Sequence, residues 1–190
     1  MTDVRTIFFI GKPGSGKGTQ AKLLAEHTGW SIFGSGDEFR KIATELTPIG
    51  RKIKKEVVEG GLLAPHWFAM YLYLKAIFSV PEQQSVIFDG FNRKVPEAEL
   101  VVGSLNWLGR PFSIIYIEVS DRAVRERLEG RQSTSGRADD HVVEERLKEF
   151  YTYTTAAVEM FRGTGTLVEI NGEQMPEKIA EDIRAALHIK

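Results

Sequence analysis

Cysteine is absent from the 190 residues, so disulfides and thiolate-bound metal sites are excluded outright. Histidine is scarce, and the four side chains, at positions 27, 66, 141 and 188, lack metal-ligand spacing. Neither sign of charge is in excess: 25 Lys and Arg against 26 Asp and Glu leave a formal net charge of -1. That balance argues against polyanion binding as the main business, and no nucleic-acid partner is expected. Long apolar runs are missing too. The apolar stretch near the N-terminus is broken by Gly11 and is too short for a signal peptide or a membrane span. The expectation is a cytoplasmic monomer without a membrane partner. No internal repeat, low-complexity tract or dividing linker occurs, so one α/β domain is expected.

What is present is an alternation. Apolar runs of strand length occur at 4–10, 31–33, 86–88, 112–119 and 166–170. Several are apolar on both faces, as expected for strands covered by helices on each side. Amphipathic stretches lie between them. The clearest, over 140–162, places Val143, Leu147, Phe150, Thr154, Val158 and Phe161 at spacings of three and four. Asp139 or Asp140 is expected to cap its start and Gly163 to end it. The alternation predicts a five-stranded parallel sheet flanked by helices. Two segments break it: a helical insertion after the second strand, and a polar run, Gln132-Ser133-Thr134-Ser135-Gly136-Arg137, between two helices.

The chemistry begins at Gly11-Lys12-Pro13-Gly14-Ser15-Gly16-Lys17-Gly18-Thr19, after the first strand and at the start of a helix expected over 20–27. Glycines let successive backbone N–H groups converge on phosphate oxygens, and the helix terminus adds partial positive charge. Lys17 is placed to reach β- and γ-phosphates. The bland alternative is a glycine-rich turn joining strand to helix. Further on, Asp89 in Asp89-Gly90-Phe91-Asn92-Arg93 stands at the C-terminal end of a buried strand. Ligands bind there in open α/β sheets, and a carboxylate can hold magnesium directly or through water. Ser35, in Ser35-Gly36-Asp37-Glu38-Phe39-Arg40, is a candidate helix cap. Arg127 and Arg131 are four apart and share a helix face.

The phosphate loop, continued by Gln20, closely resembles that of adenylate kinases and the related uridylate/cytidylate kinases, and the resemblance covers essentially the whole chain. It implies a P-loop NTPase fold with a core of 1–34, 65–131 and 141–190, a monophosphate-binding insertion at 35–64, and a short lid at 132–140. It implies phosphoryl transfer from Mg-ATP to a nucleoside monophosphate, with AMP the first acceptor to consider. ATP would be bound by Gly14, Ser15, Gly16, Lys17, Gly18, Thr19, Arg127, Arg131 and Gly172. The monophosphate would be bound by Ser35, Gly36, Arg40, Leu63, Gly90, Arg93, Glu97, Arg137 and Arg146. Lys17, Arg93, Arg131, Arg137 and Arg146 would act on the transferring group, and Asp139 and Asp140 would orient the arginines. Asp89 and Asp37 would hold magnesium through water. Some relatives carry a zinc-binding lid, and no zinc is expected here.

Two residues depart from the family pattern. Asn92 replaces a proline, which leaves the backbone less restrained. Glu97 stands where adenylate kinases use a glutamine to read adenine. Glutamine donates and accepts, whereas ionised glutamate only accepts. It satisfies the N6 amino group of adenine but meets N1 lone pair to lone pair. Guanine offers two adjacent donors, and cytosine one beside an acceptor. CMP, UMP and GMP therefore stay open as acceptors. So does a plainer arrangement, in which Glu97 points to solvent and backbone near 61–64 reads the base. Two other functions remain: a small-metabolite kinase, which leaves Ser35–Arg40 and Asp89–Arg93 unexplained, and a non-catalytic nucleotide-binding protein, which would lose Lys17, Asp89 or lid arginines.

Overall fold

The structure, a computed structural model, describes residues 5–135 and 142–189, with the backbone alone for 131–135. Five strands form one parallel sheet in the order β2-β3-β1-β4-β5. They are β1 (Thr6–Gly11), β2 (Ser31–Gly34), β3 (Val86–Asp89), β4 (Phe112–Glu118) and β5 (Leu167–Asn171). Each strand lies within two residues of its expected bounds. β1 is central, with Phe8 opposite both Phe88 of β3 and Ile114 of β4.

The apolar-on-both-faces pattern follows from two cores. Alternate residues Phe8, Ile10, Phe88 and Ile114 pack under α4 (His66–Ser79), α5 (Val95–Trp107) and α8 (Thr155–Thr164). Their neighbours in sequence, Ile7, Phe9, Ile87, Ile115 and Ile117, pack under α1 (Lys17–Thr28) and α9 (Pro176–Ala186). The period of two along each strand sends successive side chains to opposite faces, so both must be apolar. Phe8 and Phe88 stack at 4.9 Å between centroids.

The insertion comprises α2 (Ser35–Ala43), α3 (Pro48–Lys52) and a π-helical segment, Ile53–Glu59. Thr47 caps α3 by accepting from the Gly50 N–H at 3.1 Å, and Pro48 begins it. A ring contact ties α2 to α4: Phe39 and Phe68 lie 6.0 Å apart, with the exposed Trp67 ring 5.6 Å beyond Phe68.

Three expectations change. The long helix starts within the described residues at α7 (Val143–Glu149), passes through a π-helical turn, Phe150–Thr154, and continues as α8. A π turn adds a residue per turn, so one apolar face is kept while the helix changes register. It ends at Gly165, not Gly163: Gly165 adopts φ 70° and closes the last turn on the Arg162 carbonyl. α6 (Asp121–Ser135) continues past Arg131 through Ser135. Serine and threonine are tolerated in a helix, Gly130 is accommodated within it, and no glycine or proline follows between Arg131 and Ser135. The expected caps Asp139 and Asp140, and Arg137, lie outside the described residues. Among the described residues no helix is long and apolar enough to cross a membrane.

Candidate active site

One cleft of about 980 Å³ opens at the C-terminal ends of the strands. Its walls include the phosphate loop, α2, the stretch following the π-helical segment, and the turn after β3. Gly14 to Thr19, Ser35, Gly36, Asp37, Arg40, Leu63, Asp89, Gly90, Arg93, Glu97, Arg127 and Arg146 all line it. Of the expected site residues within reach of side-chain description, Gly172 alone is not on that wall. Arg131 is described by its backbone alone, and Arg137 lies outside the described residues.

The loop holds its own lysine. Lys17 Nζ donates to the carbonyls of Gly11 at 2.8 Å and Lys12 at 2.7 Å, with Ser15 Oγ at 3.4 Å. Those carbonyls hold the amine in place, and a lysine amine can equally donate to phosphate oxygens. Gly18 explains the loop's departure from Gly-Lys-Ser/Thr. A Cβ at this position would stand 3.2 Å from Asp89 Oδ2. The gap between the Asp89 carboxylate and the start of α1 exists because no side chain fills it. This cradle, with Thr19 beside it on α1, fits a hydrated magnesium ion held mainly by nucleotide phosphates. Among the described residues no group of three or more His, Asp or Glu side chains could hold a metal ion. Asp89 borders this gap, and Asp37 lies on the same cleft wall.

The second half of the cleft is built on the turn after β3. Gly90 takes φ 82°, and a Cβ there would collide with Ser35 Oγ at 2.7 Å and Arg93 Nη2 at 2.8 Å. Ser35 is not a cap, because Gly34 occupies the N-cap position without a side-chain bond. The Ser35 hydroxyl instead donates to the Gly90 carbonyl at 2.8 Å and fastens the insertion to β3. Arg93 Nε donates to the same carbonyl at 2.9 Å. Arg40 pairs with Asp37 at 2.6 Å in an exposed position. Asn92 is fully buried with φ 64°, a conformation that a proline could not adopt.

Glu97 is not solvent-facing. It is 3 % exposed, and its Oε2 accepts the Arg93 backbone N–H at 2.8 Å. Burial pushes its carboxyl pKa up, against the opposing pull of that N–H and of the Arg93 and Lys94 charges. The arrangement resembles a capping box, with a third-position glutamate reaching back over the start of α5.

Lys17, Arg93 and Arg146 meet in a small recess of about 20 Å³, together with Glu149. Three cations from the phosphate loop, the β3 turn and α7 thus line one recess. Arg127 lies at the loop's outer edge. Its guanidinium spans the carbonyls of Ser15 at 3.3 Å and Gly172 at 2.6 Å. Gly172 packs too closely for any Cβ, which would stand 2.5 Å from Ile117.

Sequence reading missed Glu149 and Lys94. Glu149 Oε2 accepts the Leu63 N–H at 2.8 Å, joining the stretch after the π-helical segment to α7. Lys94 donates to the Ala64 carbonyl at 3.1 Å and lies 4.9 Å over the Tyr153 ring. The available signal for Glu149 was its position three after Arg146 on one helix, hence on the same face.

Comparison with known proteins agrees with this geometry. The adenylate kinase family profile matches residues 9–166. An adenylate kinase of Bacteroides fragilis is 34% identical over 184 residues, covering 95% of this chain and 97% of that protein. That of Parabacteroides distasonis is 32% identical, covering 96% and 97%. That of Thermus thermophilus is 31% identical over 188 residues, covering 97% and 98%. With a phosphate loop on a parallel sheet and cations gathered beside it, the chain belongs to the adenylate kinase family of phosphotransferases.

Proposed function

We propose that this nucleoside monophosphate kinase takes AMP as its acceptor, converting ATP and AMP reversibly to two ADP. The observation that carries the reading is the convergence of Lys17, Arg93 and Arg146 on one recess between the phosphate loop and the β3 turn. Transfer of a phosphoryl group between phosphates needs little covalent chemistry, so positioning and charge neutralisation supply most of the rate. Lys17 leaves its carbonyl acceptors for the β- and γ-phosphates of ATP. Arg93 and Arg40 clamp the acceptor phosphate, while Arg146, with Arg131 and Arg137, stabilises the oxygens in transit. Arg127 and the Gly172 backbone flank the ATP base. Asp89, with Asp37 beyond it, would hold magnesium through water. The ion neutralises phosphate charge when bound. Since the acceptor phosphate is already ionised near neutral pH, no general base is required. The insertion at 35–64 and the lid at 132–140 close over the substrates and exclude water. A monomer working in the cytoplasm, without zinc, nucleic acid or membrane, belongs to the same proposal.

How Glu97 is held counts against GMP, and the names of the relatives then favour AMP. Glu97 Oε2 already accepts the Arg93 N–H, so a base with one exocyclic amino group needs only Oε1. Adenine and cytosine meet that condition, whereas guanine's paired donors ask for both oxygens. The relatives named adenylate kinase favour adenine of the two. An initial-rate panel of AMP, CMP, GMP and UMP with Mg-ATP tests this. AMP should give the highest kcat/KM, and a higher value for CMP or GMP would reassign the acceptor. Lys17→Ala or Arg93→Ala should cost about 10²–10³-fold or more in kcat/KM with the fold intact. Near-normal rates would remove the site.

A further inference from the structure

The phosphate loop carries a second lysine that the transfer chemistry does not use. Lys12 lines neither the cleft nor the recess. Its side chain is only 11% exposed, and Nζ meets Asp121 Oδ1 at 2.6 Å. Tyr151 donates its hydroxyl to the same oxygen at 2.7 Å, and Lys12 Nζ stands 5.2 Å from the Tyr151 ring centroid. Three elements meet here: the loop, the first residue of α6, and the π-helical turn between α7 and α8. The backbone of the same residue is what matters to the site. The Lys12 carbonyl accepts from Lys17 Nζ at 2.7 Å and from the Ser15 N–H at 3.2 Å. A tethered side chain on one end of Lys12 thus fixes a carbonyl on the other.

We propose that Lys12, Asp121 and Tyr151 form a positioning cluster that sets where the Lys17 amine rests and how the loop meets α6 and α7. α6 carries Arg127, whose guanidinium donates to the Ser15 carbonyl, and α7 carries Arg146. One tie therefore registers three of the cations that face the cleft. Stability alone is a weak reason for such a pair, because the Asp121 side chain stays a third exposed and water screens its charge. Misplacing a phosphate-binding group by an ångström, in contrast, costs up to roughly 10²-fold in rate.

The inference rests on the kinase reading, and the wild-type protein tests that reading by itself: it must bind a non-hydrolysable ATP analogue with magnesium and phosphorylate AMP. The positioning role is then read by calorimetric titration of that analogue and by steady-state kinetics at 25 °C. Lys12→Met keeps the aliphatic stem and removes the charge. It should weaken analogue binding about tenfold and lower kcat, with KM for AMP within roughly twofold of wild type. Lys12→Arg should stay within about threefold, and Lys12→Met with Asp121→Asn should be no worse than Lys12→Met, as expected for one unit. A lowered melting temperature with unchanged analogue affinity would make the cluster a plain structural tie and overturn the proposal. If Lys12→Met does not fold, Asp121→Asn and Tyr151→Phe carry the test, and unchanged affinity in both overturns it equally.

Discussion

Glu97 shows how one residue's environment decides its chemistry. A glutamate at the start of a helix reads from sequence as a surface residue, yet here it is buried at the cleft wall beneath the β3 turn, with its carboxylate on the Arg93 N–H. Glu97→Gln keeps an acceptor for that N–H and adds a donor toward adenine N1. The variant should raise the ratio of kcat/KM for AMP over that for GMP and CMP. An unchanged ratio would remove Glu97 from base reading. Stability gives a second handle. Burial raises the folded-state pKa above the ordinary 4.5, so the native state holds this proton more readily than the unfolded chain does. The stability this confers is fully present below pH 4.5 and is lost as pH rises through the folded pKa. Glu97→Gln should therefore raise the melting temperature near pH 7.5 relative to wild type, and the gain should shrink as pH falls toward 4.5. A constant difference across that range contradicts the assignment. Asp121 has the opposite sign: its bonds from Lys12 and Tyr151 hold its carboxyl below the usual value, so their stabilisation fades only in acid.

At the scale of elements, strands and the phosphate loop were legible because their signals are local: period-two apolar runs, and glycines with a lysine between strand and helix. The π-helical turns were not, since one added residue per turn leaves a spacing of three and four that reads as a plain α-helix. Helix ends were misjudged where two glycines competed, and Gly165 rather than Gly163 takes the left-handed conformation. The Glu149 to Leu63 bond was invisible because it joins residues 86 apart. It links the insertion to α7 beside Gly61, whose position leaves no room for a Cβ against Val142 at 2.6 Å. Glu149→Ala would orphan the Leu63 N–H and loosen this junction at a cost of about 1–3 kcal/mol. KM for the monophosphate should rise more than KM for ATP, and Glu149→Gln should restore most of the difference. Equal changes in both constants would show that the bond serves the fold and not the acceptor half.

The whole molecule places the phosphate loop and Asp89 at the ends of sheet strands and the insertion at the sheet's margin. β1 ends in the phosphate loop and lies between β3 and β4, with Phe8, Phe9 and Ile115 fully or almost fully buried. Phe88→Ala should cost about 3–5 kcal/mol, read as a lower denaturation midpoint with unchanged slope, since it opens a cavity in the stacked ring cluster. A loss below about 1 kcal/mol would mean that the cluster repacks. The rings that join α2 to α4 also have an optical consequence. Trp67 is solvent-exposed at the end of the chain of rings through Phe68 to Phe39, on the helix that holds Arg40. The chain has three tryptophans, and replacing Trp30 and Trp107 by phenylalanine leaves Trp67 as the sole indole emitter. A movement of α2 that tilts Phe68 shifts the polarity around that ring, so the wavelength and lifetime of its fluorescence become a clock for the closing proposed for the insertion, with no dye attached.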